Sequence, residues 1–183
     1  MGKQSVLLVG QSGSGKSTLA AHLFVRGHDM WGDDLVHFAT QERVFSAAPR
    51  SMKLDGKALE TLSLLSLLCS EATQGTLFAP HVAYISPAAF RRRWRAPDAP
   101  ADVVVLLDST RHTGPAHLQR MSDGEAAISA ARMLMGGGAT GTHTEQADLM
   151  AGVVEAMSDM RGYTAGGTPA SAVADLLERE LAA

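Results

Sequence analysis

At 183 residues, 45% of them hydrophobic, the chain is the size of one domain and carries enough apolar side chain for one ordinary core. Its formal net charge of −3 at pH 7 argues against a broad basic face for nucleic acid or for an acidic membrane surface, and its single cysteine, Cys69, excludes an internal disulfide. The apolar run near the amino terminus stops at Gly10, too short for a secretory or spanning segment, so the expected address is the cytoplasm.

Ser5 to Val9 is a short aliphatic run closed by Gly10, the pattern of a strand buried on both faces. Residues 16–25 have helical character and stop before Gly27, a cap residue. An extended piece from His28 to Gly32 leads to Asp33 and Asp34, and Leu35 to Phe38 reads as a further strand. Leucines on a helical period over Lys57 to Cys69 predict a core-facing helix. Ala79 to Phe90 stays open between strand and helix, with Pro87 excluding a helix that runs through it. Arg91 to Pro100 turns to arginine, proline and alanine, as a loop or lid does.

Asp102 to Leu107 has the pattern of a buried strand closed by Asp108. The remainder reads as helices. Ser122 with Glu125 forms a capping-box pattern before an apolar series that reaches Met135 and ends at Gly136 to Gly138. Thr142 with Glu145 repeats the pattern before a helix over Gln146 to Met157, and Thr168 with Pro169 opens a terminal helix. Between them, Tyr163 and Thr164 are expected to form a short edge strand. The alternation predicts an α/β fold, a single domain over residues 1–183 with a central β-sheet flanked by helices.

The sharpest local pattern is Gly10, four residues, then Gly15, Lys16 and Ser17, a complete Walker A loop. Gly10, Gly13 and Gly15 permit backbone angles that let main-chain N–H groups turn inward around phosphate oxygens. Gln11, Ser12, Ser14 and Thr18 complete the segment expected to line ATP. Lys16 would set a cation against the β and γ phosphates, and Ser17 would offer its hydroxyl to Mg²⁺. A glycine-rich turn matching by accident is the bland alternative, but the strand pattern before and the helix pattern after are the context the motif requires.

Phosphoryl transfer also needs a proton acceptor and a metal-side carboxylate, and Asp33 with Asp34 are the candidates. On residue type alone a solvated turn with helix-cap or turn chemistry is the stronger explanation of the pair. Neighbouring extended residues point opposite ways, so both face one atom only if the strand has already ended.

The run from Gly10 to Asp34, GQSGSGKSTLAAHLFVRGHDMWGDD, resembles the catalytic core of HPr kinase/phosphorylase, the bacterial serine kinase of the phosphocarrier protein HPr. Arg26, Gly27, His28, Asp33 and Asp34 follow the loop in the family's order without a gap. The resemblance covers about the first quarter of the chain, and the family's Glu-x-Arg-Gly segment is not found. It implies a P-loop domain of the HPr kinase and PEP carboxykinase type, an ATP and Mg²⁺ requirement, and a protein or peptide serine as acceptor. Within it, Asp33 is the general base, Asp34 a metal-side or orienting carboxylate, and Lys16 and Ser17 keep their loop roles. Because HPr kinase is hexameric, it also implies possible self-association.

Asp108, closing an apolar strand, reads either as a further metal-side aspartate or as the polar end of a buried strand. Arg91, Arg92, Arg93 and Arg95 either close over phosphates or form a solvated loop, and Arg50 is a weaker candidate of the same kind. His28 is read either as ordering the turn before the aspartates or, the commoner case, as a satisfied structural histidine. Two further functions stay open: a small-molecule P-loop kinase, and a nucleotide-binding regulator with little catalytic activity.

Overall fold

In chain order the elements are β1 (Val6–Gly10), α1 (Lys16–Val25), β2 (Val36–Ala39), β3 (Val44–Ala47), β4 (Met52–Asp55), β5 (Thr76–Ala79), β6 (Val82–Ile85), β7 (Val103–Leu107), β8 (His117–Arg120), α2 (Asp123–Met135), α3 (His143–Met157), β9 (Arg161–Gly166) and α4 (Ala170–Ala182). The computed structural model describes residues 4–34, 36–39, 42, 44–48, 50–55, 76–79, 82–86, 100–108, 114–135 and 142–182. They fall into two units, each assembled from separate stretches of chain: Met1–Lys16, Phe38–Phe45 and Ala99–Ala183 in the first, Ser17–His37 and Ser46–Asp98 in the second.

The first unit is α/β, with a four-stranded mixed sheet in the order β1-β7-β9-β8. β1, β7 and β9 are parallel neighbours and β8 pairs antiparallel with β9. All five residues of β7 are buried, as required of a strand covered on both faces, and its three valines and two leucines supply that cover. Adjacent β9 residues show which helix lies on which face. Gly162 abuts Ala126 of α2, whereas the Tyr163 hydroxyl donates to Glu180 Oε1 of α4 at 3.0 Å. Successive strand residues point to opposite faces, so α2 and α4 lie on opposite sides of the sheet.

Behind α2 packs α3, and the core joins Leu7, Val9, Val104 and Leu106 to Ala126, Ala127, Ala130 and Ala131 of α2 and to Val153 and Met157 of α3. The alanine row allows a close approach. α3 begins with the capping box expected at Thr142 and Glu145, since Thr142 Oγ1 accepts from the Glu145 N–H at 3.3 Å and Glu145 Oε2 accepts from the Thr142 N–H at 2.7 Å. At the other end of the strands, Asp102 Oδ2 accepts from the Ser5 N–H at 2.6 Å and from its hydroxyl at 2.8 Å, joining the starts of β1 and β7.

The second unit contains most of α1 and the antiparallel sheet β4-β6-β5. Met52 and Leu54 of β4, and Ala83 and Ile85 of β6, are buried while Lys53 and Tyr84 are exposed, the alternation of a sheet with one covered face. Leu19, Ala21, Phe24 and Met30 are the other buried apolar side chains among the described residues of this unit. β2 and β3 pair as a separate two-stranded sheet.

Several sequence expectations need correction. His28 to Gly32 forms no strand, so Asp33 and Asp34 follow an irregular segment instead of closing a strand. Tyr163 and Thr164 belong to a six-residue strand, and that strand is interior, between β7 and β8, not at an edge. β8 lies in a region read as helix, and β3, β4 and β5 were not anticipated, while β6 resolves the open stretch after Ala79 as strand. The helix expected over Lys57 to Cys69, the glycines Gly136 to Gly138 and residues 91–99 of the arginine-rich loop lie outside the described residues.

A Cβ on Gly162 would overlap Ala126 Cβ. Gly162→Ala should therefore cost at least about 2 kcal/mol, read as a fall in melting temperature. Gly124→Ala is the control: this glycine is exposed in α2 with open space around it, and the change should stabilise by about 0.5–1 kcal/mol.

Candidate functional site

The loop after β1 belongs to the first unit as far as Lys16. Gly10 pairs with Leu107, and a Cβ there would lie 2.6 Å from Ser14 Oγ and 2.9 Å from the Leu107 carbonyl, so only glycine fits. Gly13 and Gly15 take φ of 82° and 90°, in the left-handed region. The turn is closed by the Ser14 N–H donating to Gln11 O at 3.1 Å. Lys16 Nζ lies across the loop and donates to the carbonyls of Gly10 and Gln11, both at 2.9 Å. Gln11, Ser12 and Gly13 are exposed, Thr18 is half-buried, and the buried Ser14 hydroxyl makes no hydrogen bond among the described residues. α1 starts at Lys16, so its unpaired N–H groups add positive potential at the loop. Asp108 follows the residue opposite Gly10, and its N–H donates to Ala165 O at 3.1 Å. The candidate aspartate thus leaves the sheet at the same end as the loop, the end where open α/β sheets bind ligands.

In the second unit, the chain is turned back at the end of α1 by a Schellman motif. The Gly27 N–H donates to Phe24 O at 3.0 Å and the His28 N–H to Leu23 O at 3.1 Å, with Gly27 at φ 108°. The main-chain N–H of His28 is thus part of the turn that ends α1. Gly32 then passes so close to Ala47 and Ala48 that a Cβ would meet them at 2.7 and 2.9 Å. These two constraints deliver the next residue, Asp33, to the first turn of α1.

Ser17 Oγ donates to Asp33 Oδ1 at 2.9 Å and lies 3.2 Å from Oδ2, and the Lys53 N–H reaches Oδ2 at 3.4 Å. Asp33 is only 7% exposed, whereas Asp34 is exposed and takes a left-handed φ of 66°. Burial raises the Asp33 pKa above the ordinary aspartate range; the Ser17 hydroxyl opposes the shift and the neighbouring Asp34 charge adds to it.

Of the residues singled out from sequence, Ser17 and Asp33 are therefore brought into direct contact. Lys16 spans the loop, Asp34 faces solvent, and Arg50 is exposed. The Lys53 contact escaped the sequence reading because it is a main-chain N–H, which no residue type announces. Among the described residues no three His, Cys, Asp or Glu side chains cluster as a metal cage. Mg²⁺ bound through one or two protein oxygens and substrate phosphates needs no such cage, and the Ser17 hydroxyl with the Asp33 carboxylate is a donor set of that kind.

A raised folded-state pKa means that the folded chain holds the Asp33 proton to higher pH than the unfolded chain does. Stability is then lost as pH rises from the ordinary value of 3.8 through the folded-state pKa. Asp33→Asn, which keeps an acceptor for Ser17, should raise the melting temperature at pH 7, and the gain should vanish as pH falls below that window. Thermal denaturation at a series of pH values checks it. No protein-family model, curated protein or solved structure matches this chain.

Proposed function

We propose that the chain is a cytoplasmic ATP-dependent phosphotransferase of the HPr-kinase-like class, built on the P-loop fold of the HPr kinase and PEP carboxykinase type. Its acceptor is a serine hydroxyl of a protein or peptide. The observation that carries the reading is the buried carboxylate of Asp33 on the hydroxyl of Ser17, the residue that ends a complete phosphate-loop pattern. The unbroken order from Gly10 to Asp34 supports the same class.

In this reading the N–H groups of the Gly10 to Lys16 loop hold the phosphates, and Lys16 exchanges its loop carbonyls for β and γ oxygens. Ser17 and a carboxylate of the Asp33 and Asp34 pair would hold Mg²⁺. Bound Mg²⁺ supplies charge neutralisation on the transferring group. The aspartate pair provides both a metal-side carboxylate and a proton acceptor. The serine oxygen bonds to the γ-phosphorus as the bond to the bridging oxygen breaks, the hydroxyl proton passes to a carboxylate, and ADP leaves.

Incubating the protein with γ-labelled ATP, Mg²⁺ and cell extract should put label on serine in protein. Label only in small solutes would identify a metabolite kinase, and ATP binding without transfer a regulator; either result overturns the serine assignment. Lys16→Ala should lower transfer at least about 100-fold, measured as initial rate.

A further inference from the structure

We infer that Asp33 is the metal-side member of the aspartate pair, forming with Ser17 a two-oxygen seat for Mg²⁺, and that Asp34 is the member directed to the acceptor hydroxyl. The inference rests on the phosphotransferase reading and reverses the roles that the resemblance implies for the two residues.

Spacing is the first argument. Mg²⁺ takes oxygen ligands at about 2.0–2.1 Å in near-octahedral array, so neighbouring ligand oxygens lie about 3 Å apart. Ser17 Oγ and Asp33 Oδ1 are 2.9 Å apart. Rotating the Ser17 O–H away from the carboxylate would leave both oxygens presenting lone pairs at the separation of two adjacent ligands, with no movement of either side chain.

Orientation is the second argument. The Lys53 N–H reaches Asp33 Oδ2, not Oδ1, so one oxygen is held by the backbone of β4 while the other stays with Ser17. Metal-binding carboxylates are commonly fixed in this way by a hydrogen bond from behind. Burial is the third. A carboxylate that is 7% exposed is poorly solvated as an anion, and a bound dication relieves that. Asp34 is exposed and has no comparable need. Its left-handed φ of 66° breaks the alternation of an extended chain, so the two carboxylates are not forced onto opposite faces of a strand.

The test measures Mn²⁺ binding by electron paramagnetic resonance with ADP present. Asp33→Asn should weaken Mn²⁺ at least about tenfold, while its affinity for ADP in metal-free buffer stays within about twofold of the unaltered protein. Asp34→Asn should hold Mn²⁺ within about twofold. Unchanged Mn²⁺ affinity in Asp33→Asn, or a larger loss in Asp34→Asn, would overturn the assignment.

A measurement on the unaltered protein covers the case in which a variant folds poorly. Mn²⁺ with ADP should broaden the Lys53 amide resonance beyond detection, and a Lys53 signal that stays sharp while the loop amides broaden would likewise overturn it. Failure of the unaltered chain to bind ADP with or without metal would be a different result, removing the phosphotransferase reading itself.

Discussion

A carboxylate taken out of water must be answered by donors, and much of the second unit is arranged around that requirement at Asp33. The Schellman turn after α1, the bare backbone of Gly32 against Ala47 and Ala48, the Ser17 hydroxyl and the Lys53 N–H all serve one buried acid. An uncompensated charge there would cost several kcal/mol. Burial still raises the Asp33 pKa, with the Ser17 hydroxyl and the Lys53 N–H opposing the shift. A group kept at some cost to stability is what functional sites commonly contain.

The first unit answers a different requirement, a parallel sheet that must be covered on both faces. β7 satisfies it by being apolar throughout, and β9 by alternating a glycine against α2 with a tyrosine toward α4. The parallel register of β1 and β7 sets Gly10 opposite Leu107, which sends the loop and Asp108 out at one end of the sheet. The location of the candidate chemistry is thus a result of strand direction.

Where the sequence was readable, the reason was local. β1, α1 and β7 are read from short patterns of burial, the cap at Thr142 starts α3 where capping chemistry says it should, and α4 begins at Ala170, directly after the Thr168 and Pro169 expected to open it. The glycine-rich segment after β1 is legible because its glycines are demanded by backbone angle and by close approach. β9 was misjudged because its glycines resemble a turn, and only the neighbouring helix explains them. β4 and β8 are four residues each, too short for periodicity to register. For the site, Asp33 and Asp34 stood out as a pair, but nothing in their order tells which is buried. That depends on Gly32 and on a main-chain N–H from another strand, both tertiary facts.

The contact between α2 and the sheet is made largely by alanines facing a strand that carries Gly162. Such side chains have no rotamers to lose, so this contact orders the backbone without the added entropic penalty that leucines or methionines would bring. The same absence of adjustable atoms removes any means of repacking around an insertion. Drift in sequence along this seam is therefore confined to methyl-sized or smaller groups, even where other parts of the core can exchange one large apolar residue for another.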